Sequence, residues 1–287
     1  MRVCTASDPQ PDSLLFVTDM TDEVYAALCR LDGCTLLLHE KDKERCDPLA
    51  QHHTVKYSDN PRYAYAEVMV SVRRYPLPPD NSIHPDALVM PGAYIGDGVT
   101  IGAGAVIGPG AVIGAQGFGI ATHDSKPPLR IPHVGGVTIG DHVEIGACAT
   151  VSAGTINPTV IGAYSKIDDH AHIAHNVQMG RECIVTGCAE VSGSVTIGDR
   201  AWLGPNCAIL EGLTIGADSL VGIGAVVMRS VEEGATVAGN PARQLTPRRV
   251  PDENEVAERK EQMRKTFRPR PKWMPSFVYR WIMGWSI

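Results

Sequence analysis

Between Ile167 and Asn176 the chain reads Ile-Asp-Asp-His-Ala-His-Ile-Ala-His-Asn, gathering three histidines and two carboxylates. A neutral imidazole is suited to taking a proton near neutral pH, its ordinary pKa being about 6.5. A nearby carboxylate can orient the ring and raise its basicity. His175 is therefore the candidate base, with Asp168 and Asp169 as supporting acids. One chemistry this permits is acyl transfer, in which His175 takes a proton from an amine attacking a thioester. Backbone N–H groups on a neighbouring coil would then hold the oxyanion. A second is zinc-assisted hydrolysis, with His170, His175 and a histidine from another subunit holding the metal. A third reading is a scaffold without catalysis.

These residues lie in a run with a period of six. From Ile161 to Val227 every sixth residue is aliphatic or Met, twelve in succession, and the same period holds over Ile83–Ile113 and Ile139–Val151. A period of six fits neither an amphipathic helix nor a simple strand. It fits a coil of three short strands that sends one aliphatic side chain inward from each side. A glycine often follows the aliphatic position, where a tight corner favours dihedrals that glycine tolerates. Each fully buried aliphatic side chain contributes ~1.5–3 kcal/mol. The segment from about Ile83 to Val227 is thus expected to form a parallel β-helix. With Ile173 pointing inward, His175 can project outward. The period breaks at Gln116–Gly136, which holds Gly117-Phe118-Gly119, His123 and His133, and at a four-residue insertion around Gly154–Pro158. Interruptions of a rigid coil are where binding residues concentrate, tolerated surface excursions being the plainer alternative.

The flanks differ in texture. Ser13–Val17 and Thr35–His39 read as strands, Glu23–Leu31 and Pro61–Val72 as helices, and Pro76, Pro78 and Pro79 as a stiff linker. The organisation expected is a small α/β domain over 1–80, the coil over 81–245 and a helical extension over 246–287. Gly239-Asn-Pro-Ala-Arg243 reads as the turn closing the coil. Beyond it come a helix over Asn254–Phe267, a basic Pro-rich stretch and an aromatic tail with Trp273, Trp281 and Trp285. The fold class is mainly β.

A formal charge of −6 argues against a general nucleic-acid binder. The eight cysteines form no C-x-x-C pair and match no zinc or disulfide framework, so they are expected to be reduced and mostly structural. With no apolar leader at the start and no run long enough to span a bilayer, the expected location is cytoplasmic.

Four motifs taken together resemble a known family. They are Gln116-Gly-Phe-Gly, Ile131-Pro-His-Val-Gly, Ile139-Gly-Asp-His-Val-Glu-Ile-Gly-Ala-Cys and Ile173-Ala-His-Asn. The first 80 residues add Ser13-Leu-Leu-Phe and Asp59-Asn-Pro-Arg-Tyr-Ala-Tyr-Ala. The whole resembles UDP-3-O-acylglucosamine N-acyltransferase of lipid A synthesis. The resemblance implies a left-handed coil, a homotrimer with sites between subunits, and a uridine-binding front domain. It implies His175 as the base, Asp168 as a nearby carboxylate, the Gly193 backbone as oxyanion donor and Phe16 as the aromatic that stacks on uracil. Tyr25, Asn176, Phe118 and His133 complete the expected substrate-binding set. The acyl donor implied is acyl-CoA or acyl-carrier protein, with no tightly bound cofactor and no metal. The acceptor implied is a nucleotide-linked amino sugar. The pattern departs from the family in three places. Asp19 and a longer segment reaching Tyr25 replace an N-x-x-Y element, Leu210-Glu211-Gly212 stands where the family has N-G-H, and Gly239-Asn-Pro-Ala-Arg is the ending of coenzyme A-using hexapeptide enzymes. These departures suggest a paralogue acting on a surface-glycan sugar. The hydrolase alternative, a γ-carbonic-anhydrase-like zinc enzyme on the same coil, lacks that family's upstream Arg/Asp pair.

Overall fold

The computed structural model describes residues 2–71 and 81–245. The proline linker, the helix expected over Asn254–Phe267 and the aromatic tail lie outside the described residues.

The coil is a left-handed parallel β-helix. Two- to four-residue strands stack into three parallel sheets, and between Ile161 and Val227 paired core residues stand eighteen positions apart. Ile161 pairs with Met179, Met179 with Ile197 and Ile197 with Ile215. Ile173, Val191, Ile209 and Val227 form the equivalent column on another face. The register steps across both interruptions without losing its face: Ile101 pairs with Ile139, and Ile139 with Ile161. The core is aliphatic throughout. A second inward row of small residues stands two positions before each aliphatic, including Ala171, Cys183, Ala189 and Cys207. Burial pushes the Cys183 and Cys207 thiols up, the latter to about 11, which keeps both protonated and inert.

The glycines after the aliphatic positions serve a purpose other than the one expected from corner dihedrals. Gly162, Gly198 and Gly204 have no positive φ, but a Cβ on any of them would stand 2.8 Å or less from backbone atoms of the next coil. They are needed for close stacking. The left-handed corner falls two residues later, at φ near +60°, and is filled by Tyr164, His170, Asn176, Glu182, Cys188 and Ser194 among others. Stacked coils hold that conformation at every corner, so side chains that seldom adopt it are accommodated.

The front of the chain forms a four-stranded parallel sheet, β1 (Arg2–Val3), β2 (Ser13–Val17), β3 (Thr35–His39) and β4 (Thr54–Ser58), in that spatial order. Helix α1 (Asp22–Leu28) begins where Thr21 accepts the Val24 N–H and ends three residues short of the sequence expectation. Helices α1 and α2 (Lys43–Cys46) cover one face of the sheet, where Leu15, Val17, Leu28 and Cys46 pack together. Helix α3 (Pro61–Ser71) covers the other, capped by the Asn60 side chain on the Tyr63 N–H at 2.9 Å.

Helix α3 also anchors the first interruption. The segment after Gly119 forms an antiparallel hairpin, Ile120–His123 with Lys126–Arg130. Tyr63, Tyr65 and Met69 of α3 pack with Ala121, Ile131 and Val134 of that excursion. Polar ties add direction: Tyr63 donates to the Pro127 carbonyl, Asn60 to the Thr122 carbonyl, and His123 bonds Asp59 at 3.1 Å. The long excursion is therefore an ordered bridge between the front layer and the coil.

Candidate active site

Both interruptions of the repeat converge on the corner that carries His175. They bond to one another through the Gly135 N–H and Gly154 carbonyl at 2.8 Å, the Gly154 N–H and Gly136 carbonyl at 2.9 Å, and the Val134 N–H and Thr155 carbonyl at 3.0 Å. The four-residue insertion then grips Asn176. Its Oδ1 accepts from the Thr155 N–H and the Thr155 hydroxyl, at 3.2 and 2.8 Å, and its Nδ2 donates to the Asn157 carbonyl. The Asn176 N–H donates to Thr159.

That grip decides the state of His175. An atom accepting a backbone N–H is the amide oxygen, so His175 Nδ1, 3.0 Å from it, must carry the proton. The lone pair is then on Nε2, as a general base requires. Above the ring lies Gly193, one coil on; a Cβ there would stand 2.7 Å from His175 Cε1 and 2.9 Å from Nε2. Glycine at 193 is what lets the imidazole lie flat along the corner. Among the described residues the Gly193 N–H has no hydrogen-bond partner, and its carbonyl accepts from Gly212.

A second imidazole completes the cluster. His133 is only 3% exposed, and its ring packs edge-on against His175 with centroids 4.9 Å apart. Gln116 pins its backbone reciprocally, accepting from the His133 N–H and donating to its carbonyl, both at 2.8 Å. Burial, then the neighbouring His175, pushes the His133 pKa down to about 4, so this ring is neutral. The Gly117-Phe118-Gly119 turn lies against both rings: a Cβ at Gly117 would stand 2.7 Å from His133 Nε2 and 2.9 Å from His175 Cβ. Phe118 is exposed at the tip with the Arg130 guanidinium over its ring at 5.1 Å, and Arg130 also holds the Gly117 carbonyl.

The structure thus brings His175, Asn176, Gly193, His133 and Phe118 together. It does not bring Asp168 to His175 within one chain. Asp168 follows the strand Lys166–Ile167 and His175 follows His172–Ile173, on a different face of the coil. Asp168 instead accepts the Gly187 N–H at 3.0 Å, and Asp169 accepts the Ala147 N–H. Both carboxylates staple adjacent coils, and within one chain the group bonded to the His175 ring is Asn176. His170 likewise stands at the Asp168 corner, away from His175. In the front layer, Phe16 and Tyr25 are also separated. Alternation along β2 turns Phe16 toward α3, its ring 4.8 Å from Tyr65, whereas Tyr25 packs on the opposite face beside Arg45. Gln116, Thr155, Asn157 and Arg130 are supporting residues that reading the sequence missed.

Replacing Asn176 by glycine keeps the left-handed corner, since φ there is +63° and glycine adopts it freely. It removes the group that fixes the His175 tautomer. The expected outcome is a folded coil by circular dichroism with kcat lower by about 10- to 100-fold.

The chain carries the bacterial transferase hexapeptide repeat, whose six-repeat family matches residues 82–115. More particularly, over 115 residues it is 42% identical to UDP-3-O-acylglucosamine N-acyltransferase of Caulobacter sp. (strain K31), covering 40% of this chain and 34% of that one. It is 50% identical over 80 residues to the protein of the same name from Coxiella burnetii (strain Dugway 5J108-111), covering 28% of this chain and 23% of that one. The first of these matches spans about a third of the relative's length. Among solved structures, a UDP-N-acetylglucosamine acyltransferase from Bacteroides fragilis aligns over 67% of this chain and 78% of that chain, at 22% identity and a TM-score of 0.49.

Proposed function

We propose that this chain is an N-acyltransferase that moves an acyl group from a thioester, acyl-CoA or acyl-carrier protein, to the amine of a nucleotide-linked amino sugar. The observation that supports it best is the His175 arrangement: Nδ1–H tied to Asn176, Nε2 left as an acceptor, and the Gly193 N–H on the next coil. The amine attacks the thioester carbon while His175 Nε2 takes one of its protons. The Gly193 N–H meets the charge that develops on the carbonyl oxygen. Collapse breaks the C–S bond, and the leaving thiolate recovers the proton from His175. The relatives, named for transfer to a UDP-linked glucosamine, supply the acceptor class. Phe16, half-buried against Tyr65, is the proposed contact for the nucleotide base. A homotrimer and a cytoplasmic setting belong to the same reading. No helix among the described residues is long and apolar enough to cross a membrane.

Thiol release measured with acyl-CoA and acyl-carrier thioesters across UDP- and dTDP-amino sugars tests the assignment. Release that depends on a free amine in the acceptor is expected. Release indifferent to the acceptor, or none with any pair, sinks it.

A further inference from the structure

We propose that His133 is a specificity-determining residue that accepts the second N–H of the attacking amine, so that the site takes a primary amine in preference to a hydroxyl. The proposal rests on the acyl-transfer reading above. His133 Nδ1 lies 2.8 Å from the Ile131 carbonyl, which can only accept, so Nδ1 carries the ring's proton. Its Nε2 is then a lone-pair acceptor. That atom is buried and has no hydrogen-bond partner among the described residues. A buried acceptor without a partner is uncommon in a folded chain and calls for an explanation.

Its surroundings supply one. The other ring of the pair also presents Nε2 as an acceptor, because Asn176 holds its Nδ1–H. Two neighbouring imidazoles therefore offer two lone pairs and no donor. A primary amine matches this arrangement: it gives one hydrogen to each ring and keeps its own lone pair for attack. A hydroxyl has a single hydrogen, which His175 must take, and would leave the His133 acceptor facing oxygen lone pairs. The proton count is consistent through the reaction. His175 removes one N–H proton, the C–N bond forms, the C–S bond breaks, and the amide product still holds one N–H for His133. His133 moves no proton; it is a recognition element for a hydrogen that survives the reaction.

Access runs through the glycine turn. Gly117 and Gly119 lie closest to His133 Nε2 and Cε1, and a Cβ at either would come within 3 Å of the ring. The turn covers Nε2, so the proposal requires it to shift and admit the acceptor group; its tip Phe118 is 76% exposed.

The test compares kcat/KM for the nucleotide-linked amino sugar that wild-type enzyme acylates in the thiol-release assay above with that for its analogue bearing a hydroxyl in place of the amine. Both rates come from one enzyme preparation, so the folded fraction cancels in their ratio. His133→Phe keeps the ring volume and removes the acceptor. The amine-to-hydroxyl ratio should fall by about 10- to 100-fold, the loss lying in kcat for the amine. His133→Gln, which restores an acceptor oxygen, should recover most of the ratio. An unchanged ratio in His133→Phe overturns the proposal. So does an equal loss in both variants, which would assign the effect to packing. Wild-type enzyme that acylates no amino sugar with any donor in that assay overturns the acyl-transfer reading itself.

Discussion

Replacing His175 by alanine should leave a folded coil and lower turnover by ~10²–10⁴, as removal of a general base does. The fold is expected to survive because the side chain points outward from its corner. The core beneath it is closed by Ile173 and Val191, both fully buried. Among the described residues nothing in the stacking ladder uses the imidazole, whose one hydrogen bond there is to the adjacent Asn176. Residual activity should persist, since the Gly193 N–H and the binding surfaces remain. Thermal unfolding and initial rates measured side by side check both halves of the prediction. A folded variant with near wild-type turnover would remove His175 from the mechanism.

The second large effect falls on a residue with no side chain. Gly193→Ala should lower kcat by about 100-fold with little change in thermal stability. The added Cβ would stand 2.7 Å from His175 Cε1 and 2.9 Å from Nε2. The imidazole is the free end of a side chain, so it gives way before the backbone does. Swinging off the corner breaks the 3.0 Å bond to Asn176 and misdirects Nε2. The backbone N–H at 193 is unaltered by the substitution, so loss of activity would come from ring orientation. The double variant Gly193→Ala/His175→Ala separates the two roles. If Gly193 acts by accommodating the ring, the pair should be no worse than His175→Ala alone. Additive losses would show that position 193 contributes separately from its accommodation of the ring.

The period of six made the coil legible, because one aliphatic per side repeats without exception from Ile161 to Val227. The interruptions were equally visible, and the structure brings both of them to the His175 corner. Partnership within one chain does not follow from sequence proximity. Asp168 and His175 are near in the chain, but each coil has three faces, and seven residues carry the backbone around to another one. Asn176 lies at the left-handed corner beside His175, and its holders Thr155 and Asn157 come from the insertion one coil below. Finding them requires counting the stacking offset through the insertion, which gives Ile173 the partner Val151. The glycines misled in a similar way. Their spacing is a signature of the coil, but the reason for it, backbone approaching backbone, appears only when the coils are stacked. Phe16 and Tyr25 belong to one expected substrate-binding set, but strand alternation puts the two on opposite faces of the sheet.

The eighteen-residue offset between paired core residues from Ile161 to Val227 restricts how this part of the chain can change in length. Deleting six residues above His175 would turn every later corner by a third of a revolution and bring different side chains over the site. Deleting eighteen would remove a coil and leave the rest in phase. The excursion from Gln116 to Gly136 obeys neither count, because it leaves the stack after the Val112–Ala115 strand and re-enters on the next face, where Val137 pairs with Val99. Within the uninterrupted stack, length can therefore change only in quanta, whereas the two interruptions are exempt from that count wherever their bonds at the His175 corner are kept. The segments that leave the stack beside His175 are thus outside the count that binds the coil, while His175 itself stays in step with it.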